Sequence, residues 1–140
     1  MESFNSNSEQ ETKTIAREFA RTLKAGDIIA MHGTLGMGKS VFARELIRTL
    51  ANDPELEVPS PTFTLVQIYD IEPTPIWHYD LYRIEDPDEI WEIGWEEGLS
   101  TAINIIEWPE NLGSLLPKNH IRIEIKTGSS QNQRIVKIES

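Results

Sequence analysis

The chain has 140 residues, 13 lysines and arginines against 23 aspartates and glutamates, a formal net charge of −10, and no cysteine. These figures exclude a disulfide framework and a thiolate metal site. They also argue against binding to free nucleic acid, which depends on clustered basic residues. The length predicts a single domain over residues 1–140, with residues 1–7 as a flexible tail. The sequence has no apolar run that fits a membrane span or a signal segment, which predicts a cytoplasmic protein that is not membrane-bound.

A helix is the first predicted element. Ser8 to Glu11 has the spacing of a capping box, and apolar residues from Ile15 to Leu23 recur every four positions on one helical face. Gly26 is the predicted C-terminal cap. The apolar residues 27–31 then predict a strand.

Residues 33–40 satisfy the phosphate-loop pattern G-x-x-x-x-G-K-[ST] between this strand and a helix predicted over 41–50. Glycines let backbone N–H groups approach a polyphosphate, and a helix starting near the loop points its positive dipole end at the same anion. Lys39 supplies a positive charge for the β- and γ-phosphates, and the Ser40 hydroxyl is a candidate Mg²⁺ ligand. The predicted nucleotide-binding residues are Gly33, Thr34, Leu35, Gly36, Met37, Gly38, Lys39 and Ser40.

Prolines dominate the next segment, so residues 58–63 are predicted to form an extended loop. Its Ser60 and Thr62 hydroxyls fit a loop that senses a γ-phosphate, but they fit a rigid crossover equally well. Strands over 63–69 and 76–80 are predicted to form an antiparallel hairpin. A helix capped by Asp86 and ended by Gly98 follows, with Trp91 and Trp95 in the core.

The apolar run 101–108 predicts a buried parallel strand that brings Glu107 to its C-terminal end. A short irregular or helical stretch over 109–117 precedes a second hairpin, formed by strands around 121–126 and 136–138. The predicted fold is a three-layer, P-loop NTPase-like α/β domain with a mixed sheet flanked by helices and antiparallel hairpins.

Two acids are candidates for the chemistry. Glu107 lies where a Walker B carboxylate holds Mg²⁺ or its water shell, against the alternative of an edge acid in solvent. His78 and Asp80 share one face of a strand, which is also ordinary for a half-solvated strand. Trp108 is predicted to pack in the core.

Four segments together resemble the TsaE (YjeE) family of small bacterial P-loop ATPases: 33–40, 60–66, 78–83 and 106–110. The resemblance implies ATP and Mg²⁺ as cofactors. It also implies a role with TsaB and TsaD in making threonylcarbamoyladenosine on tRNA, without transferring the group itself.

The resemblance also implies roles for single residues. Lys39 and Ser40 match phosphate and Mg²⁺ ligands, Thr62 a switch-like threonine, Asp80 a catalytic acid, and Glu107 the Walker B acid that also serves the metal. Together, Asp80, Glu107 and Thr62 form the expected catalytic set.

Other classes of P-loop protein fit less well. A small P-loop kinase requires an acceptor pocket and a basic lid, and the sequence has no inserted basic segment of that kind. A GTP switch requires a guanine-reading Asn/Thr-Lys-x-Asp motif, which is missing. A non-hydrolysing nucleotide-binding regulatory module stays open.

Overall fold

A computed structural model describes residues 2–33, 38–61 and 64–140. The chain divides into two compact units. The first contains Met1–Leu23, His32–Val58 and Arg122–Ser140, and the second contains Lys24–Met31 and Pro59–Ile121. None of the helices in the described ranges has the length and apolar character that crossing a bilayer requires.

Strands and helices alternate along much of the described chain. The elements are β1 (Glu2–Ser6), α1 (Glu9–Ala20), β2 (Ile28–His32), α2 (Lys39–Ala51), β3 (Val66–Tyr69), β4 (Ile76–Asp80), a first 3₁₀ helix (Pro87–Ile93), α3 (Trp95–Thr101), β5 (Ile103–Glu107), a second 3₁₀ helix (Pro109–Leu115), β6 (Ile121–Thr127) and β7 (Arg134–Glu139). The strands form a mixed sheet flanked by helices, which confirms the predicted α/β fold class with its two antiparallel hairpins. The single-domain assignment stays a prediction.

In the first unit, β7 pairs antiparallel with both β1 and β6. The flexible tail predicted for residues 1–7 is therefore wrong over Glu2–Ser6. Backbone pairing with β7 orders this segment, and the buried Ser6 hydroxyl lies 2.7 Å from the Thr12 hydroxyl of α1. Phe4 is the segment's one apolar residue, so the strand has no hydrophobic alternation to reveal it.

Helix α1 begins as predicted after Ser8, whose side chain accepts a hydrogen bond from the first turn. It ends at Ala20, and the predicted continuation to Gly26 is wrong. Both the backbone N–H and the hydroxyl of Thr22 bind the Phe19 carbonyl, at 3.0 and 2.7 Å. This local bonding replaces the next helical hydrogen bonds.

In the second unit, β5 lies between β2 and β4 and is parallel to both, and β3 pairs antiparallel with β4. The register aligns Glu107 with Met31 of β2 on one side and with Asp80 of β4 on the other. The predicted parallel strand ending in Glu107 is confirmed. Because parallel strands share their carboxyl edge, the ends of β4 and β5 lie together.

Helix α3 packs closely on β4. Trp95 meets Tyr79 edge to face, with ring centroids 5.3 Å apart. Burial raises the pKa of Tyr79, so its hydroxyl stays protonated and donates to Asn104 Oδ1 at 3.3 Å. A Cβ at Gly98 would lie only 2.6 Å from the Tyr79 hydroxyl and 2.7 Å from the Trp77 ring. A glycine is therefore needed where the helix contacts this strand.

The single helix predicted from Asp86 to Gly98 is wrong. Gly94, with φ +88°, separates the first 3₁₀ helix from α3, and Gly98 lies inside α3. Trp95 is buried as predicted, whereas Trp91 is 43% exposed and is not a core residue. The break at Gly94 separates Trp91 and Trp95 into different helices, so they no longer share one face.

Strand β3 begins at Val66, later than the predicted Phe63. The Leu65 N–H binds the Pro61 carbonyl at 2.8 Å, and Leu65 has a φ of +68°. These features form a turn before the strand. The described part of the predicted proline-rich loop, residues 58–61, has no helix or strand.

Trp108 packs against the second unit's core as a partly buried residue.

Candidate functional site

The start of α2 has the features of an anion site. Gly38 is the N-cap with φ +96°, and within the described residues no side chain caps the first turn and no acid lies in it. The first N–H groups of an α-helix have no partner inside the helix, and the dipole makes that end attractive to anions. The predicted helix start near Gly38 is confirmed.

Gly33 is the last described residue before Gly38, and it has φ +139°. A Cβ here would lie 2.8 Å from the Ile125 carbonyl oxygen and 3.5 Å from Cγ and Cδ of Lys39. The first residue of the phosphate-loop pattern is therefore held where only glycine fits. The Lys39 stem runs back beside it.

Lys39 and Ser40 differ in exposure although they are neighbours in the first turn of α2. Lys39 is 5% exposed, and a buried ammonium group is stable only with polar or anionic partners. Ser40 is exposed. The Lys39 side chain is thus buried, while the neighbouring Ser40 side chain is exposed.

Five predicted site residues lie outside the described residues: Thr34, Leu35, Gly36, Met37 and Thr62. Their assignment stays a prediction from the sequence.

Asp80 and Glu107 come together in the second unit. They end β4 and β5 in direct register, so both side chains lie on the same face of the sheet. Their exposed fractions are 7% and 8%. The burial of Glu107 excludes the alternative reading of that residue as an edge acid in solvent.

Asp80 connects the end of β4 to the proline-rich loop. Its Oδ2 accepts a hydrogen bond from the Ser60 hydroxyl at 3.3 Å, and its Oδ1 accepts one from the Tyr82 N–H at 3.1 Å. Its own N–H donates to the Leu65 carbonyl at 2.9 Å. The carboxylate is thus fixed by groups on both sides of its strand end.

Glu107 is bonded to a histidine that the sequence marked only weakly. His78 Nε2 lies 2.7 Å from Glu107 Oε2, and His78 is 3% exposed. The spacing of two residues between His78 and Asp80 is the sequence signal, because it puts both side chains on one strand face. Only the pairing of β4 with β5 adds Glu107 to that face.

No cluster of three or more histidine, cysteine or acidic residues suited to a metal occurs in the described ranges. Mg²⁺ does not require one. It keeps several waters and binds through one or two carboxylates together with substrate phosphates. In the second unit, the buried carboxylates of Asp80 and Glu107 are oxygen donors of the kind that Mg²⁺ takes. In the first unit, the exposed Ser40 side chain carries a hydroxyl oxygen.

Three features define a P-loop NTPase-like domain. They are a mixed α/β sheet, a glycine loop that leads from a parallel strand into an anion-attracting helix, and acids at neighbouring strand ends. Residues 6–136 match the family model described as "Threonylcarbamoyl adenosine biosynthesis protein TsaE". The chain belongs to the TsaE family.

Individual relatives agree with this assignment. The chain is 44% identical over 120 residues to "tRNA threonylcarbamoyladenosine biosynthesis protein TsaE" of Rickettsia bellii, which covers 86% of this chain and 83% of the relative. It is 32% identical over 127 residues to the protein of that name from Bacillus subtilis, covering 90% and 78%. The crystal structure of Bacillus YdiB superposes with a TM-score of 0.77 over 98% of this chain and 83% of YdiB at 24% identity, which supports the fold.

Proposed function

We propose that this chain is the ATP-binding and ATP-hydrolysing subunit for formation of threonylcarbamoyladenosine in tRNA. In this proposal it acts in the cytoplasm with TsaB and TsaD and does not transfer the group itself. The single observation that carries the ATP-binding part is the start of α2. Gly33 and Gly38 have positive φ there, Lys39 is buried, and no side chain among the described residues caps the first turn.

This local structure supports phosphate binding. The first-turn N–H groups donate to phosphate oxygens, and the Lys39 ammonium balances charge on the β- and γ-phosphates. Gly33 supports this arrangement because a side chain there would displace the Ile125 carbonyl or the Lys39 stem. Binding in this way uses the phosphates alone, so the preference for ATP rests on family membership.

The acids supply the second part of the proposal. Mg²⁺ neutralises charge on the transferred phosphoryl group when it is bound. Ser40 and Glu107 would hold it or its waters, and Asp80 would orient the attacking water. The mutual register of Asp80 and Glu107 and their burial support these roles.

The charges available support slow hydrolysis in isolation. No arginine is placed by a recognised motif to reach a γ-phosphate, and an arginine finger is worth about 10³ to 10⁵ in rate. Arg83, near the end of β4, is exposed and is the one internal candidate that the sequence offers. We therefore expect TsaB and TsaD to accelerate turnover by completing or ordering the site.

The test is a reconstitution of tRNA modification from purified TsaB, TsaD and this chain, with phosphate release measured in the same reactions. The proposal expects modified tRNA only when this chain is present. It also expects phosphate release that is slow for the chain alone and faster with its partners.

Two results would favour the alternatives. Tight ATP binding without phosphate release under any combination would indicate a non-hydrolysing regulatory module. ADP formation that requires a small-molecule acceptor and releases no free phosphate would indicate a P-loop kinase.

A further inference from the structure

His78 forms a buried contact with Glu107 that the sequence motifs do not assign. The distance from Nε2 to Oε2 is 2.7 Å. The other ring nitrogen, Nδ1, is buried and has no hydrogen-bond partner among the described residues. Among the described residues, the imidazole therefore makes one hydrogen bond, and its partner is Glu107.

The contact is diagonal across two parallel strands. His78 is in register with Ile105, two residues before Glu107, while Asp80 is directly opposite Glu107. Side chains two residues apart lie on the same face, and diagonal neighbours are within reach of long side chains. The His78 side chain thus contacts Glu107 at the carboxyl end of β5.

Chemistry fixes the direction of this hydrogen bond. An ionised carboxylate has no hydrogen to give, so Nε2 donates and Oε2 accepts. Oε2 of Glu107 is then engaged by His78, and Oε1 has no hydrogen bond among the described residues. A buried ring also limits the rotamers that the glutamate side chain adopts.

We propose that His78 is a positioning residue, which holds Glu107 so that its second oxygen is presented to Mg²⁺ or a Mg²⁺-bound water. The inference rests on the proposed function, because Glu107 serves a metal only there. Hydrogen-bond partners of metal ligands commonly change metal affinity by about 10- to 100-fold when removed. A merely structural histidine would change stability and leave Mg²⁺ linkage unaltered.

The experiment measures how much Mg²⁺ strengthens ATP binding. ATP is titrated calorimetrically into the full chain with Mg²⁺ and with EDTA, and the ratio of the two dissociation constants is the Mg²⁺ enhancement. This ratio is a linkage quantity and needs no hydrolysis. The wild type is compared with His78→Gln, His78→Asn and His78→Leu.

The variants separate the donor from the bulk of the ring. The terminal NH₂ of glutamine lies near the Nε2 position, so His78→Gln retains the enhancement within about threefold. The shorter asparagine does not place a donor there, and leucine has none, so both lose about tenfold or more. If His78→Leu does not fold, the comparison of His78→Gln with His78→Asn carries the test, since both are polar amides.

Folded His78→Asn and His78→Leu proteins with the wild-type enhancement would overturn the positioning role and leave the proposed function standing. A wild type that binds ATP equally with Mg²⁺ and with EDTA would overturn the metal role of Glu107 and this inference with it. Equal losses in His78→Gln and His78→Asn would also contradict it, because the donor position would then not matter.

Discussion

Replacing Gly98 by alanine is expected to destabilise the protein, although the same change in most helices is favourable. Gly98 lies inside α3, and alanine gains about 1 kcal/mol over glycine in a helix interior. Here the new Cβ would lie 2.6 Å from the Tyr79 hydroxyl, 2.7 Å from the Trp77 ring and 3.0 Å from Asn104 Oδ1. These neighbours are rigid or buried groups and have little room to move.

The magnitude follows from the terms that oppose each other. Overpacking of this kind costs about 1 to 3 kcal/mol, and displacing the Tyr79 hydroxyl from Asn104 costs about 1 kcal/mol more. Against a gain of about 1 kcal/mol from helix propensity, the free energy of unfolding should fall by about 1 to 3 kcal/mol. The packing contact decides the sign.

Urea unfolding followed by tryptophan fluorescence measures this change. Ser100→Ala is the matched control, because Ser100 is exposed on the same helix and its replacement should change stability by less than about 0.5 kcal/mol. Tyr79→Phe removes one of the clashing atoms. The double variant Gly98→Ala, Tyr79→Phe should therefore lose less stability than the sum of the single changes.

A Gly98→Ala protein as stable as the wild type, or more stable, would refute the packing argument. Strict additivity with Tyr79→Phe would refute the part assigned to the hydroxyl.

Two further predictions concern the site and its partners. Glu107→Ala should weaken Mg²⁺-dependent ATP binding, while Asp80→Ala should chiefly lower kcat; calorimetry and phosphate release measure the two effects, and equal negligible effects would remove both acids from the chemistry. The isolated chain should not bind tRNA at physiological salt, because its net charge is −10; salt-sensitive tRNA binding in a filter assay would contradict this.

The sequence predicted best those features that short segments determine by themselves. The order of strand, glycine loop and helix around Lys39 depends on local pattern, and β2 and α2 are where the pattern put them. Glu107 at the end of a buried strand followed from one apolar run in the same way. The same motif fixes the spacing of Lys39 and Ser40, whose roles in binding phosphate and Mg²⁺ stay a prediction.

Features that depend on pairing between strands far apart in the chain could not be predicted from the sequence. Strand β1 exists because its backbone pairs with β7 near the other end of the chain, and its side chains carry no periodic signal. The contact of His78 with Glu107 joins residues 29 positions apart and depends on the register of β4 with β5.

The roles of the two glycines around α3 also depend on a neighbouring strand, although the residues are close in sequence. Gly94 and Gly98 both looked able to end a helix. Gly94 has the positive φ that ends the first 3₁₀ helix. At Gly98, by contrast, a side chain would clash with the aromatic residues of β4. Local sequence does not distinguish a capping glycine from a packing glycine, because the difference lies in the neighbouring strand.

ATP binding through the phosphate loop is the central claim, and one calorimetric titration tests it directly. Mg-ATP is titrated into the wild type, into Lys39→Ala and into the control Lys13→Ala, which removes the partly exposed lysine that pairs with Glu9 on α1. The wild type and Lys13→Ala should bind with equal affinity, and Lys39→Ala should show no binding, because the charge for the β- and γ-phosphates is lost. Wild-type affinity in Lys39→Ala, or no binding by the wild type, would contradict the claim.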